Sequence, residues 1–141
     1  MADPILRHID QMLQGRTARY LLIPATTGVS AVGTVLTTGA GAWGAYADLI
    51  AAAGIAAEHW LMGFYLDTLG ASQVYEVQVR DATPATLTEF RVHPTAITPN
   101  LGLLPAGLYP IYRGGGVQTQ ARAGGAAAKV IGVSTLYATG L

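Results

Sequence analysis

The chain has 141 residues and a formal net charge of zero, and only 11% of it is Asp, Glu, Lys or Arg, against about 25% in an ordinary soluble domain. It has no cysteine, which excludes disulfides, thiolate nucleophiles and cysteine-based zinc sites together. All its basic residues but Lys129 are arginines, at 7, 16, 19, 80, 91, 113 and 122; their dispersal argues against a nucleic-acid surface.

The charge deficit is uneven. No charged residue occurs between Arg19 and Asp48, between Arg91 and Arg113, or after Lys129. Charged side chains normally cover solvent-facing surface, so these stretches predict a subunit that works packed against other protein. The length fits one domain.

Residues 3–15 are predicted as one helix. Asp3 can cap it, Pro4 occupies the favoured first position and Gly15 stops it. Ile5, Leu6, Ile9, Met12 and Leu13 fall on one face at helical spacing. That face can dock on its own domain or on a neighbouring subunit. The Met-Ala-Asp-Pro start lacks the positive region of a signal peptide.

Strands and turns are expected from 16 to 141, as a single sandwich domain behind the helical arm. Arg19–Pro24 and Val29–Thr37 are set off by Gly and Pro. The uncharged stretch 20–47 is too rich in Gly and Thr for a membrane span, and no membrane partner is expected. Trp43–Ala53 reads as a strand despite its alanines, and 58–66 is apolar on both faces. In 74–80, Tyr75, Val77 and Val79 alternate with Glu76, Gln78 and Arg80. Thr88, Phe90 and Val92 alternate likewise with Glu89 and Arg91.

Prolines 94, 99, 105 and 110 predict that 94–110 stays outside any sheet, as an extended connection. Leu108–Arg113 is expected to lead into a flexible hairpin turn at Gly114–Gly116. Val117–Arg122 follows with Gln118, Gln120 and Arg122 outward; Gly124 and Gly125 then turn the chain into 129–137. Eight or nine short strands at regular spacing predict an all-β antiparallel sandwich, with a jelly roll the best match.

Signals for chemistry are weak. His8, His59 and His93 fall in no ligand spacing, no serine lies in a nucleophile motif, and the Gly114–Gly116 run lacks the Lys-Ser/Thr of a phosphate loop. Neither enzyme activity nor any metal or cofactor is expected. Trp43, Trp60 and Tyr65 pose a choice between a sugar-stacking platform and ordinary packing.

Several segments carry a resemblance: Trp43–Ile50, the apolar strand at 60–66, Val74–Val79, Leu104–Arg113, Val117–Ala123 and Val130–Leu136. In this order the chain resembles the jelly-roll capsid cement (decoration) proteins of tailed bacteriophages, of the type found in a short-tailed phage of Bordetella. The resemblance spans about residues 40–137, outside the helix. It implies a virion protein made in the host cytoplasm, binding the outside of an assembled head as a small oligomer and bridging major capsid protein subunits. A tail or fibre component and a carbohydrate-binding module are the alternatives.

On that reading, Ile5, Leu6, Ile9, Met12 and Leu13 are the candidates for self-association, with a dimer favoured over a trimer. Pro94, Pro99, Leu101, Leu103 and Pro105 are the candidates for capsid contact.

Overall fold

The computed structural model describes residues 3–7, 19–24, 33–81, 85–92, 103–106 and 110–140, with backbone alone at 67–69 and 103–105. Among the described residues, twelve strands form two sheets that pack face to face. Sheet 1 contains β1 (Arg19–Ile23), β2 (Thr34–Thr37), β6 (His59–Leu69), β9 (Leu103–Pro105), β10 (Ile111–Arg113) and β12 (Val130–Thr139). Sheet 2 contains β3 (Gly39–Ala40), β4 (Ala42–Trp43), β5 (Ala47–Ile50), β7 (Tyr75–Asp81), β8 (Thr86–Val92) and β11 (Thr119–Gly125).

Several of these are pieces of one longer strand. β1 pairs with Thr139 to Thr135 of β12, and β2 continues along the same side at Val133 to Val130. β9 and β10 likewise share one side of β6, and β3 and β5 share one side of β11, with β4 paired to β3 between them in the chain. Joining the pieces leaves eight strands in chain order. Sheet 1 then runs first, eighth, third, sixth, and sheet 2 runs second, seventh, fourth, fifth. That order is a jelly roll, with each successive strand but one crossing to the other sheet. Pairing is antiparallel throughout the described strands except at β3, which meets Gly124 and Gly125 in parallel.

The core lies between the sheets. Leu36, Phe64, Leu66, Ile131 and Val133 from sheet 1 meet Leu49, Ile50, Tyr75, Val77 and Val79 from sheet 2. The alternation that predicted β7 holds, since Tyr75, Val77 and Val79 are fully buried while Glu76, Gln78 and Arg80 are not. Thr38, where the chain leaves sheet 1, is tied down on both sides. Its Oγ1 donates to the Ala127 carbonyl at 2.6 Å and accepts from the Lys129 N–H at 2.8 Å.

Four expectations change. Trp43–Ala53 is not one strand: β4 and β5 are separate, and a turn at Ala52–Ala53 follows, with Ala53 at φ +60°. The segment 94–110 does enter a sheet, because Leu103–Pro105 pairs with Tyr65–Gly63. It does so at an edge, where a strand position without an N–H is tolerated.

Gly114–Gly116 is not a hairpin turn. β10 and β11 lie in different sheets, so it is a crossover, and it is docked: Ala53 N–H donates to the Gly116 carbonyl and Gly116 N–H to that of Ile55. A Cβ on Gly115 would stand 2.1 Å from the Ala56 oxygen, so the glycine serves a close approach. Gly124 and Gly125 end β11, and the bend follows at 126–127.

Candidate interaction surfaces

The outward side chains of sheet 1 carry no charge among the described positions. They are Tyr20 and Leu22 on β1, Val35 and Thr37 on β2, and Val130, Ser134, Leu136 and Ala138 on β12. Trp60, Met62 and Tyr65 on β6 and Tyr112 on β10 complete the face. Strand alternation produces it, because Ile23, Leu36, Leu61 and Val133 take the inward positions. Trp60 and Ala138 are buried, with Met62 and Tyr112 packed on them, and the Trp60 and Tyr112 rings meet edge to face at 5.2 Å. Tyr20 and Val35 stay open, at 54% and 52% exposure.

Charge returns at the rim of this face. The Tyr112 hydroxyl donates to Glu58 at 2.7 Å, and Arg7 lies 3.5 Å from the same carboxylate. The Tyr112 hydrogen bond, with help from Arg7, holds the Glu58 carboxyl below the usual carboxylate range, and that carboxylate raises the Tyr112 phenol.

Arg7 also marks where the predicted helix begins. Residues 4–7 are helical, with the Asp3 carboxylate accepting from Ile5 N–H at 2.8 Å and the Asp3 carbonyl from Arg7 N–H at 2.9 Å. Ile5 and Leu6 are exposed at 68% and 66%. Ile9, Met12 and Leu13, the rest of the candidate self-association face, lie outside the described residues. So do Pro94, Pro99 and Leu101 of the candidate capsid contact, while Leu103 and Pro105 stand in the edge strand β9.

The outward face of sheet 2 has the opposite chemistry. Tyr46 lies under the Arg80 guanidinium at 3.4 Å and within 4.7 Å of that of Arg122. Its hydroxyl donates to Gln78 Oε1 at 2.6 Å, which also accepts from Arg122 Nε at 2.8 Å. Gln78 in turn donates to Glu89. Arg80 donates to Gln120 Oε1, and the amides of Gln118 and Gln120 both donate to Asp48 Oδ1. Such a network fixes the side chains it joins. Trp43 lies over Gly124, where a Cβ would come to 3.3 Å of the ring, and Arg122 is 4.8 Å from the ring centre.

The three aromatics of the possible sugar platform do not come together. Trp43 is on sheet 2 and 36% exposed, whereas Trp60 is buried on sheet 1 and Tyr65 is half-buried on the same sheet.

A polar group that the sequence reading did not bring together lies inside the sandwich, where β6 and β11 begin and β10 ends. His59 is fully buried, with Nδ1 donating to the Ala57 carbonyl at 3.0 Å and no partner at Nε2. Burial drives its basicity down, and the nearby Arg113 cation adds to that. Arg113, also buried, stands 3.6 Å from Asp81 and donates to the Gln118 carbonyl. The signal was parity: Arg113 is two residues from core Ile111, and His59 two from core Leu61.

His8 and His93 lie outside the described residues, and no group of three metal-ligating side chains occurs among those described. No helix among the described residues is long and apolar enough to cross a membrane. No family model matches this sequence, and no curated protein is found to match it.

Proposed function

We propose that this chain is a structural virion protein, a cement or decoration subunit that binds the outer surface of a phage capsid as a small oligomer. The observation that carries this reading is the outer face of sheet 1, free of charge among the described side chains and open at Tyr20 and Val35. An uncharged sheet face with exposed large side chains suits a protein partner better than water. The partner in this reading is the major capsid protein, and a subunit that binds only the assembled lattice stabilises it by mass action. The jelly-roll strand order is compatible with the resemblance, although a fold alone does not fix a function.

Co-sedimentation of the purified chain with empty heads of the same genome, before and after expansion, tests the proposal. Saturable binding to expanded heads is the expected result. Absence of binding to either form would reject the cement role and favour a tail or fibre position.

One observation favours a second reading, a carbohydrate-binding module. Exposed Trp43 stands between two open clefts, one of about 360 Å³ and one of about 450 Å³, with Glu76 lining both. Retention on a glycan array that Trp43→Ala abolishes would support it.

A further inference from the structure

Each sheet of an open sandwich ends in two edges, and an unguarded edge is a template for another strand. Three of the four edges here are interrupted among the described residues. One edge of sheet 1 breaks between Ile23 and Thr34, and the other breaks between Pro105 and Ile111 and carries the proline. One edge of sheet 2 is cut into β3, β4 and β5, the first two only two residues long. The fourth edge is β8, a continuous strand of seven residues without proline. Its one irregularity, opposite Val79 and Arg80, leaves Thr88–Val92 in regular register with β7.

We propose that β8 is a self-docking edge, pairing antiparallel with β8 of a second copy about a two-fold axis at Phe90. The register follows from the side chains. Thr88, Phe90 and Val92 face one way and Glu89 and Arg91 the other, so only a two-fold centred on a residue keeps both faces aligned. Centring on Glu89 sets Glu89 against its own copy, and centring on Arg91 sets two arginines together; like charges directly opposite are destabilising. Centring on Phe90 sets Glu89 against Arg91 of the second copy, and Arg91 against its Glu89.

The charges already present extend this row. Arg91 is bonded to Glu76 at 2.7 Å, its cross-strand neighbour on β7, and is 76% exposed on its other side. Glu89 accepts from Gln78, also its cross-strand neighbour. Pairing at Phe90 therefore gives a line Glu76, Arg91, Glu89 of the second copy and Gln78 of the second copy, with its symmetric counterpart beside it. On the inner face the two Phe90 rings meet at the axis, each already stacked on its own Phe64 at 5.5 Å.

This assigns self-association to a strand edge rather than to the helix face. It is read on the free chain, so its failure leaves head binding untouched, and failure of head binding leaves it standing.

Sedimentation velocity on the full chain tests the register. E89R and R91E should each raise the dimer dissociation constant by at least about tenfold, since each change creates two like-charge pairs. The double variant E89R/R91E should restore dimerisation towards wild type, because it re-forms both pairs across the axis with their signs exchanged, while the lost Glu76 pair weighs equally on monomer and dimer. Dimers that survive both single changes, or a double variant as dissociated as either single one, would overturn the proposal. Hydrogen exchange on the wild-type chain decides the matter even if a variant folds poorly. Amide protection in 88–92 should rise with concentration, and protection that does not change sinks the edge.

Discussion

The two outer faces of this sandwich share a pleat and a strand count and differ in chemistry. On sheet 2, Asp48, Glu76, Arg80, Glu89, Arg91 and Arg122 stand on the outward side; Gln120 ties Asp48 to Arg80, Gln78 ties Glu89 to Arg122, and Glu76 pairs with Arg91. On sheet 1, no described outward side chain is charged. Among the described residues, the charges on the two outer faces thus gather on sheet 2. Sheet 2 is built to stay in water with its side chains held; sheet 1 offers large apolar surface that water solvates poorly, with hydroxyls set among it.

The most damaging way to break the contrast is to charge sheet 1. Val35→Glu combined with Tyr20→Glu should weaken binding to expanded heads by at least about a hundredfold, near 2.7 kcal/mol. Both positions are open, so the thermal midpoint should move little. A matched change on the other face, Gln120→Glu, should leave head binding within a factor of about two. Equal losses from both changes would mean that the uncharged face has no special role.

A second prediction concerns the joint that sets Trp43 and Tyr46 on sheet 2. Gly44 donates its N–H to the Ala123 carbonyl, and a Cβ there would stand 1.8 Å from the Thr37 oxygen. Gly44→Ala must push one backbone off another, and a loss of about 2 kcal/mol is expected in urea unfolding. Because Trp43 sits beside this joint, its fluorescence should shift to match water more closely. A stable variant with unchanged emission would show that the joint is soft.

Between the two faces lies the buried polar group, which ties stability to pH. Burial, with help from Arg113, holds the His59 pKa in the folded chain below that of the unfolded chain, which is about 6.5. The unfolded state therefore binds more protons as pH falls below about 6.5. Stability is full above that value, declines as pH drops, and levels off below the folded pKa. The lowered Glu58 pKa acts in the same direction but at lower pH, as its carboxylate protonates. His59→Gln should remove the higher window and leave the lower one, as read from denaturant midpoints at a series of pH values. A pH profile unchanged by the substitution would place the titration elsewhere.

Much of this contrast was legible in the sequence at the level of single strands. Alternation in 75–80 and the outward placing of Gln118, Gln120 and Arg122 agree with the structure, because one face of each strand is buried. Alternation cannot say which sheet a strand joins. The sequence therefore left a shared platform of Trp43, Trp60 and Tyr65 open beside ordinary packing, although Trp43 sits on a different sheet from the other two. The eight-strand order was also obscured, since the breaks within β1/β2 and β9/β10 look like ordinary loops until both pieces are seen on one partner. The pairing of His59 and Arg113 inside the sandwich was hidden for the same reason: parity with Leu61 and Ile111 marks each as inward, but not that their strands end side by side.

The smallest predicted effect tests whether sheet 2 is held by its network or by strand pairing alone. Tyr46 is stacked against Arg80 and Arg122 and bonded through its hydroxyl to Gln78. Tyr46→Phe keeps the ring, hence both cation contacts, and deletes only the hydroxyl. Gln78 Oε1 retains Arg122 as a donor, so no acceptor is stranded and the cost should be about 1 kcal/mol. Tyr46→Leu removes the ring as well and should cost about 1 kcal/mol more, from the lost cation contacts. If both substitutions cost the same, the arginines are held by Gln78 and Gln120 rather than by the ring. The polar face would then be a hydrogen-bonded lattice on which the aromatic merely rests.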